Sequence, residues 1–251
     1  MNVSIITVCF NSEDFLNHAI ESILGQDIEI EYIVIDGASE DNTISIIKTF
    51  DGKITHFISE PDKGIYDAMN KGLALASGDV IGILNSDDFY PNANVIVDVL
   101  QTFADNPSVD MVLGNVDFVL PSDLTKPVRF YSSFNFKPWK MRFGFMPAHP
   151  AAFIKRSAYE KVGPYKLGYK IGADFEWFVR AFLVHKLSYV KLNKTFVRMR
   201  EGGVSTSGLK SYWVSSKDML RALRENGVYS NLLFVLVRLP IKFAHKVLRK
   251  N

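Results

Sequence analysis

The sequence predicts an α/β fold in which a mostly parallel sheet is flanked by helices on both faces. Two observations in residues 1–90 predict it. Compact, β-branched runs alternate with stretches whose apolar residues recur at helical spacing, and the connections between them are short. Alternation of this kind implies right-handed crossovers between parallel strands.

Four strands are predicted in this region, the first of them buried. They cover Val3–Val8, Tyr32–Ile35, His56–Ser59 and Val80–Leu84. Asn11 or Ser12 is expected to cap the first helix because both side chains can accept a backbone hydrogen bond. Asp41 or Asn42 is expected to cap the second helix, and a third helix is predicted after Gly64.

The composition is that of a globular protein with one sizeable core. The 251 residues are 47% hydrophobic and 22% charged, and a formal net charge of +2 gives no reason to expect nucleic-acid binding. Cys9 is the only cysteine, so no internal disulfide is expected and a reducing compartment is the natural setting. Neither a signal-peptide pattern nor an apolar run of roughly 20 residues is found, so the chain is expected in the cytoplasm.

Three polar clusters stand directly after predicted strands: Asn11, Asp36 and the pair Asp87-Asp88. In open α/β sheets, ligands bind beyond the carboxyl ends of the strands, so these clusters are expected to converge on one edge. Asp36 by itself is typical of a turn before Gly37. In a site, its carboxylate would accept hydrogen bonds from a base or a ribose hydroxyl.

The sharpest local signal is Asn85-Ser86-Asp87-Asp88. Adjacent carboxylates repel each other unless a cation lies between or beside them. Mg²⁺ or Mn²⁺, bound through one or two carboxylates and the phosphate oxygens of a ligand, relieves this repulsion. The alternative is a helix cap or a turn, and the expected convergence with the other clusters favours the metal site.

Together these segments resemble family-2 glycosyltransferases with the GT-A fold, in particular bacterial enzymes of capsule, exopolysaccharide and lipopolysaccharide assembly. The matching stretches are Ser4–Asn11, Tyr32–Ser39, Gly64–Gly72, Ala76–Asp79 and Leu84–Asp88. The resemblance implies an inverting enzyme that moves a sugar from a metal-bound UDP- or GDP-sugar to a saccharide or a lipid-linked acceptor. It also implies a catalytic domain over residues 1–210, with a nucleotide-binding half (1–90) and an acceptor-side half (91–210), and a helical segment over 211–251.

The resemblance implies roles for individual residues. The base and ribose would be bound by Val8, Phe10, Asn11 and Asp36. Asp67 and Lys71 would lie along the nucleotide. Asp88 would be the direct ligand of Mg²⁺ or Mn²⁺, with Asp87 turned towards the ribose or the metal.

Asp174 matches the position at which the family carries the catalytic base. Inversion by a single displacement requires a carboxylate that deprotonates the acceptor hydroxyl. Glu176 is the rival, although two residues further along a predicted helix (174–184) it would point elsewhere. The alternative for both is a pair of acids that stabilise a helix N-terminus.

Three further residues are candidates for contacts with the acceptor or the phosphates. His149 stands where relatives often carry a histidine near the acceptor, and a structural histidine is the alternative. Arg198 and Arg200 precede a loop at Gly202–Ser205. Because arginine binds phosphate bidentately, this segment would close over a diphosphate, and a surface loop is the alternative.

The aromatic-rich residues 121–150 are predicted to form loops and short elements that line the acceptor side. The C-terminal residues predict a basic amphipathic helix, kinked at Pro240, that suits an anionic membrane surface. Its apolar face comprises Leu232, Leu236, Leu239, Phe243 and Val247, and its basic face comprises Arg238, Lys242, His245, Lys246 and Arg249. The alternative is a helix packed on the catalytic domain.

Other classes of enzyme lack their motifs here. After the first strand, the turn Cys9-Phe10-Asn11-Ser12 has neither the glycine fingerprint of a nicotinamide dehydrogenase nor the basic loop of a nucleotidyltransferase. The serine hydrolase elbow is also missing. A catalytically inactive sugar-nucleotide-binding protein is the non-enzyme alternative, and the presence of Asp87, Asp88 and Asp174 argues against it.

Overall fold

The computed structural model describes residues 1–202 and 208–240, with the side chains of 208–210 left out. The strands in this part are β1 (Val3–Cys9), β2 (Glu31–Asp36), β3 (His56–Ser59), β4 (Val80–Ile83), β5 (Asp88–Phe89), β6 (Met111–Leu120), β7 (Asp123–Tyr131), β8 (Ala152–Lys155) and β9 (Tyr189–Arg200). The helices are α1 (Leu16–Leu24), α2 (Thr43–Lys48), α3 (Ile65–Leu75), α4 (Val95–Asp105), α5 (Arg156–Val162), α6 (Ala173–Val179), α7 (Gly208–Glu225) and α8 (Leu232–Leu236). A 3₁₀-helix covers Pro138–Phe143.

The strands form one sheet in the order β3-β2-β1-β4-β8-β6-β9-β5, with β7 beside β6. The first four strands are parallel, as predicted, because a helix or helical segment carries the chain from each to the next. Beyond β4 the pairing is mixed: β8 is antiparallel to β4 and β6, while β9 is parallel to β6. The predicted α/β class is confirmed, and its parallel part is the N-terminal half.

Side chains of alternate strand residues pack into two apolar clusters, one on each face of the sheet. Ile6 and Ile33 point to the cluster that contains the helices α3, α6 and α7, whereas Ile5 and Val34 point to the cluster that contains α1 and α4. Helix α7 and α8 contribute five buried residues to the first cluster: Met219, Leu220, Ala222, Leu223 and Val235. Residues 211–240 therefore pack as part of the same core as the sheet.

Local structure differs from the sequence prediction at two places. Helix α1 begins at Leu16, and neither Asn11 nor Ser12 caps it with a side chain; instead the Ser12 carbonyl accepts hydrogen bonds from the first turn. Residues 123–131, predicted as loop, form the strand β7 because they pair with β6 as a hairpin. The predicted helix over 174–184 is confirmed as α6 followed by a π-helical turn at Arg180–Val184.

The C-terminal segment packs on the domain in its described part. Arg238, assigned above to a solvated basic face, is 2% exposed and donates hydrogen bonds to Ser215 and Ser216 on α7. Gly203, Val204 and Ser205 of the predicted closing loop lie outside the described residues. So do six members of the predicted helix: Lys242, Phe243, His245, Lys246, Val247 and Arg249. Within 1–202 and 208–240, no helix is both long and apolar enough to cross a bilayer.

Candidate active site

The loops that follow β1, β2 and β4 meet at the carboxyl edge of the parallel strands. Asn11, whose φ of 47° is left-handed, donates its backbone N–H to Ser39 Oγ at 2.8 Å and accepts from the Glu40 N–H at 2.9 Å. The hydroxyls of Ser12 and Ser86 lie 2.9 Å apart. These bonds bring the three predicted polar clusters to one edge of the sheet.

The Asn85–Asp88 segment carries two oxygens that have no partner. Asp88 is fully buried, and its Oδ1 and the Oδ1 of Asn85 are buried without a hydrogen bond, while Asn85 Nδ2 donates to Asp88 Oδ2 at 3.3 Å. Burial and the neighbouring Asp87 carboxylate raise the pKa of Asp88 well above its usual range, and burial raises the pKa of Asp87. A divalent cation would supply the missing partner and relieve both carboxylates, so these residues fit a metal.

The two carboxylates differ in access. Asp87 is half-buried, whereas Asp88, predicted as the direct ligand, lies behind it in β5 with no exposed surface. Asp87 is therefore the more accessible of the two carboxylates to a metal from solvent. In the described part of the chain, no three His, Cys, Asp or Glu side chains are grouped as metal ligands, so phosphate oxygens of a ligand would have to complete the coordination.

Arg200 holds the acidic segment in place. Its Nη1 donates to the Asp87 carbonyl at 2.6 Å, and its Nη2 lies 2.9 Å from His18 Nδ1 on α1. The guanidinium lies 5.3 Å from the ring centroids of both Phe15 and Phe89. Arg200 is 8% exposed and holds the Asp87 backbone by a hydrogen bond. It is not placed here as the mobile phosphate ligand that was expected.

Of the residues expected at the base and ribose, Phe10 is the most accessible. Its ring is 60% exposed beside Gly37 and offers a surface on which a base can stack. Val8 is 4% exposed and its side chain packs in the core, so its place in the lining of the base and ribose pocket stays a prediction.

Asp36 is engaged entirely by the protein. Its carboxylate accepts hydrogen bonds from the Ser39 N–H at 3.0 Å, from Ser59 Oγ at 2.7 Å, and from the Ser39 hydroxyl and the Cys9 thiol. It has no exposed surface. The expected contact between Asp36 and the base is therefore replaced by a structural role: this carboxylate stabilises the turn after β2.

Asp62 is a site residue that sequence reasoning missed. A Cβ at Gly37 would lie 2.6 Å from Asp62 Oδ2, so the glycine leaves room for this carboxylate next to the Phe10 ring in its present position. Asp62 Oδ1 accepts from the Gly64 N–H at 2.7 Å, which fixes the carboxylate at the start of α3. The feature of the sequence that could have indicated it is Gly37, because a glycine after Asp36 leaves room for a side chain from another loop.

Asp67 and Lys71 both bind the loop that precedes α3. Asp67 Oδ2 accepts from the Lys63 N–H at 3.0 Å. Lys71 Nζ lies 2.8 Å from Glu60 Oε1 and 3.0 Å from the Pro61 carbonyl. The structure places them beside the Asp62 loop, where they order it instead of projecting as free ligands.

Asp174 begins α6 on the other side of α3. The Tyr66 hydroxyl lies 2.6 Å from the Ile171 carbonyl and 3.2 Å from Asp174 Oδ1, and it donates to both. Burial raises the pKa of Asp174; the nearby His149 and the hydrogen bonds from Phe175 and Tyr66 act in the opposite direction. A carboxylate with a raised pKa is a competent general base near neutral pH.

His149 lies behind this carboxylate. Its Nε2 is 2.8 Å from the Tyr165 hydroxyl, which is 3.2 Å from the Tyr159 hydroxyl. Burial lowers the pKa of His149, and the Asp174 carboxylate acts in the opposite direction. His149 thus belongs to a buried hydrogen-bond network with Tyr165 and Tyr159, and its contact with the acceptor or a phosphate stays a prediction.

Two predicted residues lie apart from the site. Glu176 is fully buried, and its carboxylate binds Arg180 at 2.9 Å and Lys166 at 3.0 Å, because a residue two positions along a helix faces away. Arg198 lies in a groove beside Asp117 and donates to the Leu124 carbonyl at 3.3 Å. Both expected contacts are therefore replaced by structural ones.

Helix α7 reaches the segment just before the candidate base. Asp218 Oδ2 accepts from the N–H groups of Lys170 and Ile171, each at 3.1 Å. A Cβ at Gly172 would lie 2.9 Å from the Asp218 Cβ, so glycine permits the close approach of α7. Sequence reasoning missed Asp218 because nothing local links it to a segment more than 40 residues earlier.

Comparison with known proteins defines the class. A model of glycosyl transferase family 2 matches residues 4–163. An uncharacterised glycosyltransferase of Mycobacterium tuberculosis (strain H37Rv) is 34% identical over 185 residues, which are 72% of this chain and 69% of the relative. A PGL/p-HBAD biosynthesis glycosyltransferase of Mycobacterium bovis BCG is 27% identical over 239 residues, with 94% and 89% of the two chains covered.

Solved structures share the fold. TarS 1–349 of Staphylococcus aureus in complex with UDP-GlcNAc matches with a TM-score of 0.66 and 19% identity over 89% of this chain and 67% of that one. The mannosyltransferase PcManGT of Pyrobaculum calidifontis in complex with GDP-Man and Mn²⁺ matches with a TM-score of 0.67 and 16% identity over 99% and 73%. This chain spans only 40% of the longer TarS structure. The fold is that of GT-A glycosyltransferases, and the chain belongs to glycosyltransferase family 2.

Proposed function

We propose that the protein transfers a sugar from a nucleoside-diphosphate sugar, UDP- or GDP-linked, to a saccharide hydroxyl with inversion at the anomeric carbon. The observation that carries the proposal is the pair of unpartnered buried oxygens on Asn85 and Asp88, next to the accessible Asp87. They fit a metal–diphosphate complex at the edge of the sheet, beside Phe10. The Mn²⁺ and nucleotide-sugars in the solved relatives support the same assignment.

The donor would be held between Phe10 and the acidic segment. Asp87 and Asp88 are the residues that would bind Mn²⁺ or Mg²⁺, which supplies positive charge for the departing diphosphate. Asp62, fixed over Gly37, would accept a hydrogen bond from the base or the ribose. Arg200 would keep Asp87 in position through its carbonyl.

Asp174 would act on the acceptor. The acceptor oxygen attacks the anomeric carbon as its proton passes to the Asp174 carboxylate, and the bond between that carbon and the β-phosphate oxygen breaks with its electron pair leaving on the nucleoside diphosphate. One displacement inverts the configuration. Tyr66 and His149 would hold the carboxylate in orientation. The acceptor is a saccharide of cell-surface polysaccharide assembly, carried on a lipid at an anionic membrane surface.

The proposal is tested by nucleoside diphosphate release from UDP-, GDP- and dTDP-sugars, with Mn²⁺ or with EDTA. For wild type we expect metal-dependent release from one donor. For Asp87→Asn we expect the rate of release to fall by about 10²-fold or more, because the weakened metal site no longer neutralises the charge on the diphosphate. Asp27→Asn is the matched control, since that carboxylate is exposed and remote in sequence from the site. Thermal shifts with each donor report binding in the same samples.

Metal-dependent donor binding in wild type without turnover on any acceptor would favour the inactive sugar-nucleotide-binding alternative. No shift and no release with any donor would contradict the proposal. Equal activity in Asp87→Asn and Asp27→Asn would remove the acidic segment from the mechanism.

A further inference from the structure

A row of aromatic rings joins the 3₁₀-helix at Pro138–Phe143 to α8. Trp139 meets Phe143 edge-on with ring centroids 6.0 Å apart, Phe143 stacks on Phe234 at 4.9 Å, and Tyr229 meets Phe234 at 6.4 Å. These four rings and Leu233 form one surface, called here the aromatic face. It is built from two parts of the chain that lie about 90 residues apart in sequence.

The aromatic face exposes an unusual amount of apolar surface. Trp139 is 55% exposed, Tyr229 69% and Leu233 77%, and Val237 beside them on the next turn is 45% exposed. Single exposed apolar side chains are ordinary, but a contiguous group of this kind marks an interaction surface. Tryptophan and tyrosine are the side chains enriched where an apolar interior meets polar headgroups.

The rim of this face is basic and carries no acid from its own segments. Residues 137–143 carry Lys137, Lys140 and Arg142 and no Asp or Glu, and residues 226–240 also contain no Asp or Glu. Glu225, on α7 beside Leu232, is paired with Arg221 and Lys166. Lys137 and Arg142 are exposed, and Lys140 Nζ lies 6.0 Å from the Trp139 ring centroid. The Ser230 hydroxyl donates to the Arg142 carbonyl at 2.6 Å, which ties the basic rim to the start of α8.

We infer that the aromatic face docks this protein on an anionic lipid bilayer, with Trp139, Tyr229 and Leu233 entering the headgroup region. The basic rim would lie against the negative headgroups. A second copy of the chain fits this surface less well, since a symmetric pairing would bring the two basic rims together. The site that binds the bilayer is therefore different from the one predicted from the sequence, in which Arg238 served as a lipid-facing cation.

The position of the face deepens the proposed function, on which this step rests. Residues 144–148 lead directly from the 3₁₀-helix to His149, which shares an electrostatic interaction with Asp174. A Cβ at Gly144 would lie 2.9 Å from Arg238 Cδ, so this connection packs tightly against the residue that follows α8. Five residues of chain thus connect the aromatic face to the acceptor side of the proposed site, the side to which a saccharide attached to a membrane lipid would have to come.

Vesicle flotation of the full chain tests the inference. Vesicles of phosphatidylcholine alone are compared with an equal mixture of phosphatidylcholine and phosphatidylglycerol. We expect wild type to bind the mixed vesicles and to dissociate as salt is raised. The double variant Trp139→Ala/Leu233→Ser and the double variant Lys137→Glu/Arg142→Glu should each lose about tenfold or more in partitioning. The matched controls are Phe57→Ala/Val97→Ser and Lys48→Glu/Lys53→Glu, which change exposed residues elsewhere.

Failure of wild type to float with anionic vesicles would overturn the inference, as would equal binding by the face variants and their controls. A dimer in sedimentation equilibrium that dissociates in Trp139→Ala/Leu233→Ser, without vesicle binding, would assign the face to self-association instead. Melting temperatures confirm that each variant is folded. Donor binding by thermal shift is read on the same proteins, so a protein that binds vesicles but no nucleotide-sugar would refute the proposed function and leave the docking surface standing.

Discussion

At the scale of single residues, salt bridges distinguish a carboxylate that stabilises the fold from the one proposed as the base. Asp174 accepts hydrogen bonds from the Tyr66 hydroxyl and the Phe175 N–H, and burial raises its pKa. Glu176, two residues later, is paired with Arg180 and Lys166. Burial raises the pKa of Glu176, but the hydrogen bonds from Arg180, Asn226 and Lys166 together with the Arg180 charge outweigh it, so the pKa is lowered. A base must accept a proton during turnover, so the carboxylate without a salt bridge is the better candidate.

The pH dependence of transfer tests this assignment. Asp174 must be deprotonated to act, so activity is present above its pKa and is lost as pH falls through it. Tyr66→Phe removes a hydrogen bond that favours the charged carboxylate, which raises the pKa of Asp174 further and moves the acidic limb of kcat/KM to higher pH. Asp174→Asn should lower kcat by about 10²–10⁴-fold while donor binding persists.

Tyr90→Phe is the control for Tyr66→Phe, because it also removes a buried hydroxyl, one that has no partner, on the opposite face of the sheet. An acidic limb that stays at the same pH in Tyr66→Phe would separate Tyr66 from the base. Retention of kcat in Asp174→Asn would require another base.

At the scale of secondary structure, helix α7 contacts the segment that leads into the candidate base. Asp218 binds the two N–H groups that immediately precede α6, and Arg221 Nη1 donates to the Gly168 carbonyl at 3.0 Å. Tyr66 on α3 binds the same segment from the other side through the Ile171 carbonyl. The position of Asp174 therefore depends on two helices that are distant in sequence.

Asp218 is expected to be a positioning residue. Asp218→Ala removes both acceptor contacts, so the segment before Asp174 loosens and kcat falls about tenfold or more, while the KM for the donor is unchanged. Asp218→Asn retains a carbonyl oxygen and should recover part of the loss. The measurements are kcat and KM for each substrate, with melting temperatures alongside.

Lys217→Ala is the control on the same helix, since Lys217 is exposed and its ammonium lies only near Trp213. A rise in donor KM with kcat unchanged in Asp218→Ala would contradict the positioning role. So would a loss of activity that simply follows a loss of folded protein.

At the scale of the whole molecule, the sheet and the C-terminal helices share one core. Leu223 and Ala222 on α7 have no exposed surface and belong to the same apolar cluster as Ile6 and Phe175. The boundary predicted at residue 210 is therefore a position in the sequence, and the apolar core continues across it. A core of this kind favours a single cooperative transition.

Leu223→Ala should lower the free energy of unfolding by about 2–5 kcal/mol, because it removes apolar contacts and leaves a cavity. Denaturant unfolding followed by tryptophan fluorescence and by far-UV circular dichroism should give one coincident transition, shifted as a whole. Leu233→Ala, at a position 77% exposed, should change stability by about 0.5 kcal/mol or less. Two separate transitions, only one of them shifted by Leu223→Ala, would show that residues 211–240 fold independently.

The sequence by itself determined the parallel half of the sheet and the edge at which the site lies. Strand patterns and the polar residues that follow them are local signals, and parallel strands bring such residues together whatever lies between. The acidic segment at Asn85–Asp88 and the helix that begins at Asp174 were predictable for the same reason. The mixed half was not, because β8 and β9 pair with β6 through contacts between residues far apart in the chain.

Only the tertiary structure decided which of these side chains are free to act. Asp36 and Glu176 are acidic residues like Asp87 and Asp174, but Ser59 donates to an oxygen of Asp36 and Lys166 is paired with Glu176. Hydrogen bonding and burial depend on three-dimensional neighbours, so no local pattern distinguishes a satisfied carboxylate from a reactive one. For the same reason the roles of Asp62, Asp218 and the aromatic face emerged only when the chain was folded.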